Sequence, residues 1–357
     1  MRASLSRNFL LERSARPRRS LQIGLLLAHV WLAASMSPDT RAAAEPDGGH
    51  EPRPTAAPAP ANPTAAGYDG IWFRLGQVSE YGDKYSGGLG TYTAKHIPLA
   101  IYSAAASKTF FVYGGTVPGR RHLLIMAGCY DHATGMVPRP TVVHDKQGVN
   151  DPHDNASLAL DEAGHVWVFV SGRSRTRPGF KYRSRAPLSI EAFERVSEEE
   201  MTYPQPWWLP GRGFLHLFTK YTAGRELYWE TSPDGISWSD DQKLAGMGGH
   251  YQISAQRESR VITAFNMHPA GNVDCRTNLY FLETTDMGRT WTTADGTVVL
   301  PPLTDPQTPA LVRDFQADGN PDSFSESHLY FTDAAANAVW LLPPVMAGDW
   351  ARPEVYR

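Results

Sequence analysis

Ser232-Pro-Asp-Gly-Ile-Ser-Trp238 and Thr284-Thr-Asp-Met-Gly-Arg-Thr-Trp291 are two copies of one short turn that closes on a tryptophan. In a turn of this composition the Asp side chain caps backbone amides, the Gly supplies a positive φ, and the Trp packs beneath the hairpin. Both copies therefore predict a structural strand-turn-strand unit. Asp234 and Asp286 are accordingly not candidates for catalytic acids.

Repetition of this unit selects the architecture. Trp238 and Trp291 stand 53 residues apart, and Asp161-Glu-Ala-Gly-His-Val-Trp167 is a weaker version of the same device. A period of roughly 40 to 50 residues corresponds to one blade of a β-propeller. Short apolar runs bounded by Gly, Pro, Asn and Asp recur along the chain, and the best helical candidate, residues 190–200, is brief. The domain is therefore predicted to be all-β.

The number of blades is harder to fix than the fold class. Residues 68–357 form the predicted folded part, and at roughly 45 to 50 residues a blade they make close to six blades. The prediction is a β-propeller of about six to seven blades. After residue 319 only two convincing strands are visible, at 329–332 and 339–342. Either the last blades are irregular or the propeller is incomplete at its C-terminus.

The N-terminus has the order of an export signal. Residues 1–44 begin with a basic region, continue with a mostly apolar run at 21–34 and end in Arg41-Ala-Ala-Ala44. This order is typical of a cleaved signal peptide, and the apolar run is too short for a comfortable membrane span. Residues 45–67 are rich in Pro and Ala and predict a flexible, disordered linker. The protein is expected to be secreted or periplasmic, without an integral membrane segment after the signal is removed.

Charge argues against one class of partner. The chain has 34 Lys and Arg against 37 Asp and Glu, and without residues 1–44 the balance becomes 27 to 35, a net charge of −8. A general affinity for nucleic acid is thereby disfavoured. The chain is expected to act as a monomer.

The sequence contains few residues or motifs that would build a disulfide framework or a metal site. Cys129 and Cys275 are the only cysteines, and they form either one bridge or two buried thiols. The sequence contains no HExxH, paired CxxC or EF-hand spacing. No cofactor or metal is expected, and His153-Asp154-Asn155 is at most a place for a structural cation.

Several longer segments of the sequence resemble segments of a known family. They include Gly87-Gly-Leu-Gly-Thr-Tyr-Thr-Ala-Lys-His96, Tyr130-Asp-His132, Pro152-His-Asp-Asn155, Met201-Thr-Tyr-Pro-Gln-Pro-Trp207, Gly248-Gly-His-Tyr-Gln252 and Phe265-Asn-Met-His-Pro269. Over residues 85–312 the chain resembles the bacterial-neuraminidase-repeat, or Asp-box, β-propellers. That group includes ulvan lyases, which act on a sulfated rhamnose and uronic acid polymer. The resemblance implies a propeller fold and an anionic polysaccharide as partner.

Cleavage of such a polymer by β-elimination needs a cation for the C6 carboxylate, a base for the C5 proton and an acid for the departing O4 oxygen. Histidine suits the base, and a buried tyrosine can carry the acid's proton. Loops that open neighbouring blades converge, so His132 and His153 are expected to meet as the catalytic pair, and the resemblance implies the same two positions. Tyr203 is the candidate acid, and Pro204 predicts an extended backbone for it.

Cations and rings supply the candidates for substrate binding. Lys220 and Arg225 are predicted to hold the carboxylate, Arg through a two-pronged fork and Lys as a point charge. Tyr221, His250 and Tyr251 are predicted sugar platforms or secondary proton carriers. The remaining predicted binding residues are Lys95, His96, Asn155 and Arg173.

Two alternatives to a lyase stay open. The first is a glycan-binding propeller without catalysis. The second is a sialidase-like hydrolase. Glycoside hydrolysis needs two facing carboxylates, however, and the segments that resemble the family are poor in Glu. The basic run at 173–185 suits a sulfated glycan or is a solvated loop whose interactions salt would screen.

Overall fold

The computed structural model describes residues 95–116, 122–149, 151–273, 275–315 and 317, together with three short strands nearer the C-terminus. All of them belong to one compact unit, Asn62–Arg357. The predicted signal peptide at 1–44, the predicted linker at 45–67 and the predicted domain up to residue 94 lie outside the described residues. Within the described ranges, no helix has the length and apolarity that a membrane span requires.

The described part of the chain consists of β-strands joined by turns and three single-turn 3-10 helices. The strands are β1 (Ala100–Ser103), β2 (Lys108–Thr116), β3 (Leu123–Asp131), β4 (Thr141–Asp145), β5 (Ala156–Leu160), β6 (Val166–Val170), β7 (Gly179–Ser184), β8 (Phe193–Glu199), β9 (Thr202–Leu209), β10 (Gly213–Tyr221), β11 (Arg225–Ser232), β12 (Gln242–Ala245), β13 (Gln252–Arg257), β14 (Arg260–Met267), β15 (Thr277–Thr284), β16 (Trp291–Thr292), β17 (Val298–Val299), β18 (Leu311–Arg313), β19 (Leu329–Phe331), β20 (Val339–Leu341) and β21 (Glu354–Tyr356). The 3-10 helices are Pro152–Asp154, Ser174–Thr176 and Pro269–Gly271. The all-β prediction is confirmed for these residues.

The helical prediction at 190–200 is wrong. These residues form β8, which pairs with β7 along the outer edge of its sheet. Pairing with a neighbouring strand satisfies the backbone there and overrides a weak local preference. The strand carries Glu194, Arg195, Glu198 and Glu199, and charges of this kind protect an exposed sheet edge from pairing with another chain.

Successive strands form successive antiparallel sheets. Strands β1–β4, β5–β8 and β9–β12 make three four-stranded meanders, and β13–β17 continue in the same way, with β18 added beside β15. Strands β19–β21 make a three-stranded sheet. The first strands of the four larger sheets begin 46 to 56 residues apart, in agreement with the period of the tryptophan turns. Four-stranded meanders in series have the form of propeller blades.

The apolar core lies between neighbouring sheets. One cluster joins the first sheet to the second, another the second to the third, and another the third to the fourth. Members on the two sides of these contacts include Phe110 and Val168, Phe169 and Phe214, and Leu217 and Phe265, each at most 1% exposed. Burial of these faces is the main stabilising term, and it stacks the sheets face to face.

The first strands of the four larger sheets lie side by side. The hydrogen bonds between them run from Leu158 N to Pro98 O (2.9 Å), from Ser157 Oγ to Pro204 O (2.6 Å) and from Trp207 Nε1 to Ser254 Oγ (2.9 Å). We call the end where these strands begin the upper end and the end where they finish the lower end. Because the strands alternate in direction, turns between second and third strands also lie at the upper end.

The two tryptophan turns cap backbone amides as predicted. Asp234 Oδ1 accepts hydrogen bonds of 2.8 Å from the amides two and three residues on, and Asp286 Oδ1 accepts one of 2.8 Å from the amide four residues on. Both turns join third and fourth strands and lie at the lower end. The Asp161 turn differs, because it joins β5 to β6, with Trp167 Nε1 donating to Asp161 Oδ2 at 2.8 Å.

Gly235 of the first tryptophan turn should resist substitution for two reasons. Its φ is 77°, and a Cβ there would lie 2.4 Å from the ring of Trp167, whereas Gly211, with φ 68°, has no atom within 4 Å of its would-be Cβ. Gly211→Ala is expected to cost about 1 kcal/mol of backbone strain, and Gly235→Ala about 3 kcal/mol because overpacking adds to the strain. Urea unfolding of both variants measures the difference. Equal losses would contradict the packing argument.

The two cysteines remain thiols. Cys129 is buried at the end of β3 in the contact between the first and second sheets. Cys275 is half-buried in the loop between β14 and β15, where the side-chain amide of Asn272 donates to its sulfur at 3.1 Å. The bridge that the sequence left open is therefore not formed.

Candidate functional site

The upper end gathers polar side chains from four sheets. Lys95 and His96 precede β1, residues 151–155 precede β5, Tyr203 lies near the start of β9, and His250 and Tyr251 precede β13. Turns between second and third strands add Arg173, Tyr221, Arg225 and Arg276. Most of the predicted site residues therefore lie at this one end, although the sequence separates them by up to 156 positions.

His153 is oriented by the carboxylate of Asp151. Asp151 caps the 3-10 helix Pro152–Asp154, and its Oδ1 accepts from the backbone amide of His153 at 3.0 Å and from Nδ1 at 2.5 Å. A proton on Nδ1 leaves Nε2 as the basic nitrogen. Burial lowers the pKa of His153, against a smaller raising effect of the hydrogen bond to Asp151. The imidazole is therefore neutral near neutral pH and able to accept a proton.

Two arginines keep Asp151 charged. Its Oδ2 accepts a hydrogen bond from Arg177 Nη2, and Arg173 Nε lies 3.8 Å away. Burial alone would raise the pKa of Asp151, but the hydrogen bond from His153 and the charge of Arg173 outweigh it and hold the pKa below its usual range. Arg173, predicted to bind substrate, thus also supports the Asp151–His153 pair.

Buried charges support the short helix from below. Asp154, 0% exposed, accepts from Lys146 Nζ at 3.0 Å and from Arg177 at 2.8 and 3.1 Å. Asn155, also 0% exposed, donates from its side-chain amide to Pro152 O at 3.1 Å. Asn155 was predicted to bind substrate, and this bond gives it a part in fixing the helix. The sequence left open a structural cation at this place, and here the positive charge beside Asp154 comes from Lys146 and Arg177. The described ranges contain no group of three or more metal-ligating side chains.

Tyr203 packs against two histidines of the cluster, His96 and His153. Its ring centroid lies 5.6 Å from that of His96, 6.0 Å from that of His153 and 5.8 Å from that of Tyr251. His96 in turn bonds through Nε2 to the carbonyl oxygen of His153 at 2.9 Å. The four rings therefore form one buried group.

The backbone at Tyr203 is not extended, so the prediction made from Pro204 is wrong. Its φ is 55°, in the left-handed region, where the pairing of β9 with β10 shifts register between Leu217 and Thr219. Such a conformation costs a non-glycine residue about 1–3 kcal/mol. The amide of Tyr203 is held by Ser171 Oγ at 3.1 Å. The irregularity turns the ring toward the upper end instead of continuing the strand.

Three cations surround the ring of Tyr251. Lys95 Nζ and the guanidinium carbon of Arg276 each lie 4.8 Å from the ring centroid, and that of Arg225 lies 5.9 Å away. Burial, with the neighbouring charge of Arg276, lowers the pKa of Lys95 to about 7. Positive charge concentrated in a site with little water attracts an anion.

Arg225, predicted to hold the carboxylate, lies beside the rings of Tyr221 and Tyr251. It is half-buried, its Nε donates to the Tyr221 hydroxyl at 3.3 Å, and it makes no ion pair with a carboxylate among the described residues. Burial lowers the pKa of Arg225, but the neighbouring phenols of Tyr251 and Tyr221 outweigh this and raise it. The guanidinium is therefore charged and fixed by a ring on each side.

Two further histidines of the upper end differ in their surroundings. His250 donates from Nδ1 to Asn266 O at 2.8 Å and accepts at Nε2 from the Met247 amide at 3.0 Å. Both its nitrogens are used by the backbone, so His250 is not placed as a proton carrier, and its role as a sugar platform stays a prediction. His268 is 0% exposed, lies 4.8 Å from the Tyr251 ring, and has no hydrogen bond to either ring nitrogen among the described residues. Burial lowers its pKa to about 2, so the ring is neutral.

His132 does not meet His153, and this prediction is wrong. His132 follows β3 in the turn to β4, at the lower end, and its amide donates to Ser107 O at 2.9 Å. His153 precedes β5, at the upper end. The nine residues of β3 separate the two ends by about 25 Å. His132 therefore occupies in its sheet the place that the tryptophan turns occupy in theirs, away from the cluster.

Lys220 also faces away from the cluster. Its Nζ forms an ion pair with Asp241 and lies 5.7 Å from the ring centroid of Tyr228. Neighbouring residues of a strand project to opposite faces, so Tyr221 and Arg225 reach the cluster and Lys220 cannot. Its predicted role as a second carboxylate clamp is corrected.

The basic run at 173–185 is largely neutralised within the protein. Arg177 bonds to Asp154, Lys181 to Glu230 at 2.7 Å, and Arg183 to Glu194 at 2.6 Å. Lys181 is 0% exposed and cannot contact a polymer. The run is thus mostly structural and does not form a continuous basic surface.

Sequence reasoning missed three members of the cluster. Asp151 directly precedes the Pro152-His-Asp-Asn155 segment. A carboxylate two residues before a candidate base is a sequence signal from which its role could have been predicted. His268 belongs to the segment Phe265-Asn-Met-His-Pro269, but the sequence analysis assigned it no role. Arg276 had no motif at all, because the loop that places it beside Tyr251 is visible only in three dimensions.

The cluster is nearly closed to solvent. Lys95, His96, His153, Tyr203 and Tyr251 are each at most 5% exposed, and the partly exposed members are Arg173, Tyr221 and Arg225. Two open clefts, of about 590 and 540 Å³, lie elsewhere, and neither is lined by a predicted site residue.

The fold and the cluster together define an all-β protein of successive blade-like sheets with a cation-rich polar site where the first strands begin. The chain belongs to the BNR repeat-containing family, whose sequence model matches residues 133–336. The family resemblance is thereby confirmed, and the match continues beyond residue 312, where the resemblance in the sequence ended.

Solved structures share this fold. An ulvan lyase, described as a new family of polysaccharide lyase, is similar both alone and bound to a glucuronate and sulfated-rhamnose repeat, with 14% identity, 75% of this chain and 69% of that chain covered, and a TM-score of 0.55. A second polysaccharide lyase has 11% identity, covers 73% of this chain and 69% of its own, and gives a TM-score of 0.52. At such identities the likeness concerns the fold alone. No curated protein sequence matches the chain.

Proposed function

We propose that this protein is a carbohydrate-active enzyme that cleaves a uronic-acid-containing polysaccharide, of the ulvan type, by β-elimination. The observation that carries the proposal is the meeting of His153, oriented by Asp151, with Tyr203 and with the cation-lined ring of Tyr251. Elimination needs a base, an acid and a cation around one sugar. The upper-end cluster contains all three.

In the proposed reaction His153 Nε2 removes the C5 proton of the uronate. The C5–H electron pair forms the C4=C5 double bond, the C4–O4 bond breaks, and the Tyr203 hydroxyl protonates the departing O4. Asp151 keeps the Nδ1 proton in place and stabilises the imidazolium that forms. Return of the proton from His153 to Tyr203 restores the site without any redox partner.

The carboxylate is assigned to Arg225. A charge fixed before the reaction stabilises the negative charge that develops on the carboxylate as the C5 proton leaves, and it does so most strongly where water is excluded. Lys95 and Arg276, 4.8 Å from the same Tyr251 ring, add to that potential. Arg173 and Tyr221 lie at the exposed rim, where the polymer would approach.

The hydrolase alternative is less well supported. An inverting or retaining glycosidase needs one carboxyl group to donate a proton and another to act as base or nucleophile. Asp151 and Asp154, the carboxylates of this cluster among the described residues, are both bound to Arg177. These bonds tie both carboxylates to one arginine, so neither is free to face a sugar as proton donor or nucleophile. The alternative of a protein that binds glycans without cleaving them is favoured by the near-complete burial of His153.

The wider setting of the enzyme is also part of the proposal. The signal-like residues 1–44 support a secreted or periplasmic protein, and the four successive sheets support a propeller of about six to seven blades. We propose that it acts as a monomer.

The pH dependence of kcat/KM should be bell-shaped with a narrow top. The rate rises as His153 loses its proton, which burial shifts below the ordinary histidine pKa of about 6.5. It falls as Lys95 loses its charge near its pKa of about 7, because the neutral amine no longer attracts the substrate carboxylate. Lys95→Arg, which stays charged, should remove the alkaline fall. An alkaline limb unchanged in that variant would contradict the assignment.

The proposal is tested by incubating the purified protein with ulvan and following the ultraviolet absorbance of unsaturated uronate, with reducing ends measured in parallel. Growth of both signals supports elimination. New reducing ends without absorbance indicate hydrolysis and contradict the proposal. Binding of the polymer with neither signal identifies a glycan-binding protein instead.

A further inference from the structure

His132, excluded from the upper-end cluster, belongs to a different group of aromatic side chains. Tyr102 on β1 is paired with Thr109 on β2, which is paired with Tyr130 on β3. Residues paired across strands project from the same face of a sheet. The imidazole of His132 lies between the two tyrosines, with ring centroids 5.2 Å from Tyr102 and 4.7 Å from Tyr130. We call Tyr102, His132 and Tyr130 the tyrosine row.

The tyrosine row is held in place and yet exposed. Each tyrosine ring stands at 85° to the imidazole, and His132 Nε2 lies 2.8 Å from Thr109 Oγ1. Tyr102 is 58% exposed and Tyr130 38% exposed. The opposite face of the same strands packs against the second sheet in the core. Packing against the second sheet therefore does not explain why aromatic rings occupy this face.

We propose that the tyrosine row is a second, noncatalytic binding surface for the polysaccharide. This inference rests on the proposed glycan partner. A tyrosine presents an apolar ring and a hydroxyl together, which matches a sugar ring with its C–H face and its hydroxyl edge. At the margin of the row, Lys108 and Asp131 are paired across the strands and balance each other's charge. The tyrosine row therefore contacts a sugar through its ring face rather than through its charge, whereas the upper-end cluster binds the uronate through its carboxylate.

A protein partner fits the row less well. Stable protein interfaces use about 20–30 residues on each side, and the row offers three side chains. A linear polymer needs only one or two sugar contacts at a time, provided that other contacts lie along it. The row and the upper-end cluster are about 25 Å apart along β3. A long chain bound at both places gains affinity from the link between the two contacts, and a short oligosaccharide does not.

The test is affinity electrophoresis of the His153→Ala protein, which is expected not to degrade the polymer, in gels containing ulvan. Tyr102→Ala with Tyr130→Ala should weaken retardation about tenfold, since stacking contacts of this size are worth about one decade of affinity. Tyr102→Phe with Tyr130→Phe keeps the rings and should stay within about twofold. Val142→Ala, at a half-exposed apolar position on β4 of the same sheet, is the matched control and should migrate like the parent.

Migration of the double alanine variant like the parent, or an absence of retardation in the parent itself, overturns the inference. If the double variant proves unstable in thermal unfolding, Tyr102→Ala alone, at the more exposed position, is decisive in the same gel. The outcome is independent of the catalytic proposal, which fails if the wild-type protein yields no unsaturated uronate. Loss of retardation together with a lack of product would leave the tyrosine row standing and remove the lyase.

Discussion

Replacing His153 by alanine is expected to lower the rate of unsaturated uronate formation by about 10²–10⁴-fold, the usual contribution of a positioned proton-transfer group. The imidazole is the group that Asp151 orients through a 2.5 Å hydrogen bond and that packs against Tyr203. Because the base acts only in the transition state, kcat should fall while affinity for the polymer persists. Initial rates followed by ultraviolet absorbance, with binding measured by calorimetry, separate the two.

A matched histidine tests whether the loss is specific. His122 lies at the start of β3, is partly exposed and pairs with Asp145 at 3.2 Å, outside the cluster. His122→Ala should leave the rate within about twofold, since exposed pairs of this kind contribute little. Asp151→Asn should also lower the rate, because a side-chain amide that donates to Nδ1 moves the ring proton to Nε2, the nitrogen that acts as the base. A His153→Ala protein with more than about a tenth of the wild-type rate would refute the assignment of the base.

The fold could be predicted from the sequence because its signals are local. The turns around Asp234 and Asp286 form within a few residues, so their capping follows from composition and spacing. The brief apolar period at 190–200 failed because nothing local says that β7 offers an unpaired edge. Pairing across strands decided that segment, and a single sequence carries no direct record of it.

The candidate site was predicted in part, and the errors have a common physical origin. His153, Tyr203 and Tyr251 were found because each lies close to the start of a first strand. His132 also lies beside a strand, but it follows the last residue of β3 instead of preceding a first strand. The sequence around it does not reveal the direction in which β3 runs. Lys220 failed on a simpler ground: strand alternation allows Tyr221 or its neighbour, but not both, to face the cluster.

The short helix that presents His153 rests on buried charge. Asp154 is 0% exposed and bridges Arg177 to Lys146, whose ammonium also donates to Ser171 O at 2.6 Å and Pro178 O at 3.0 Å. Burial lowers the pKa of Lys146, and the charge of Asp154 opposes that effect. Removal of one partner from such a group leaves an uncompensated buried charge, which is more costly than the bridge itself is favourable.

Asp154→Ala should therefore lower the free energy of unfolding by about 3–5 kcal/mol. Without its counter-charge, the pKa of Lys146 falls further below the ordinary value of about 10.4, so the unfolded state binds more protons than the folded state. The stability lost by the variant should then be recovered in part as the pH rises toward that value, because the buried amine becomes neutral.

Two comparisons isolate the cause in urea unfolding. Asp241→Ala removes the partner of the part-exposed Lys220 and should cost about 0–1 kcal/mol. Lys146→Met combined with Asp154→Ala removes both charges of the bridge and should be more stable than Asp154→Ala alone, since an apolar side chain of similar length replaces the stranded ammonium. If the double variant is no more stable than the single one, or if the loss does not lessen at alkaline pH, the cost does not come from buried charge. The platform under His153 would then owe its rigidity to the Asp151 cap and the Asn155 bond to Pro152 rather than to the ion bridge.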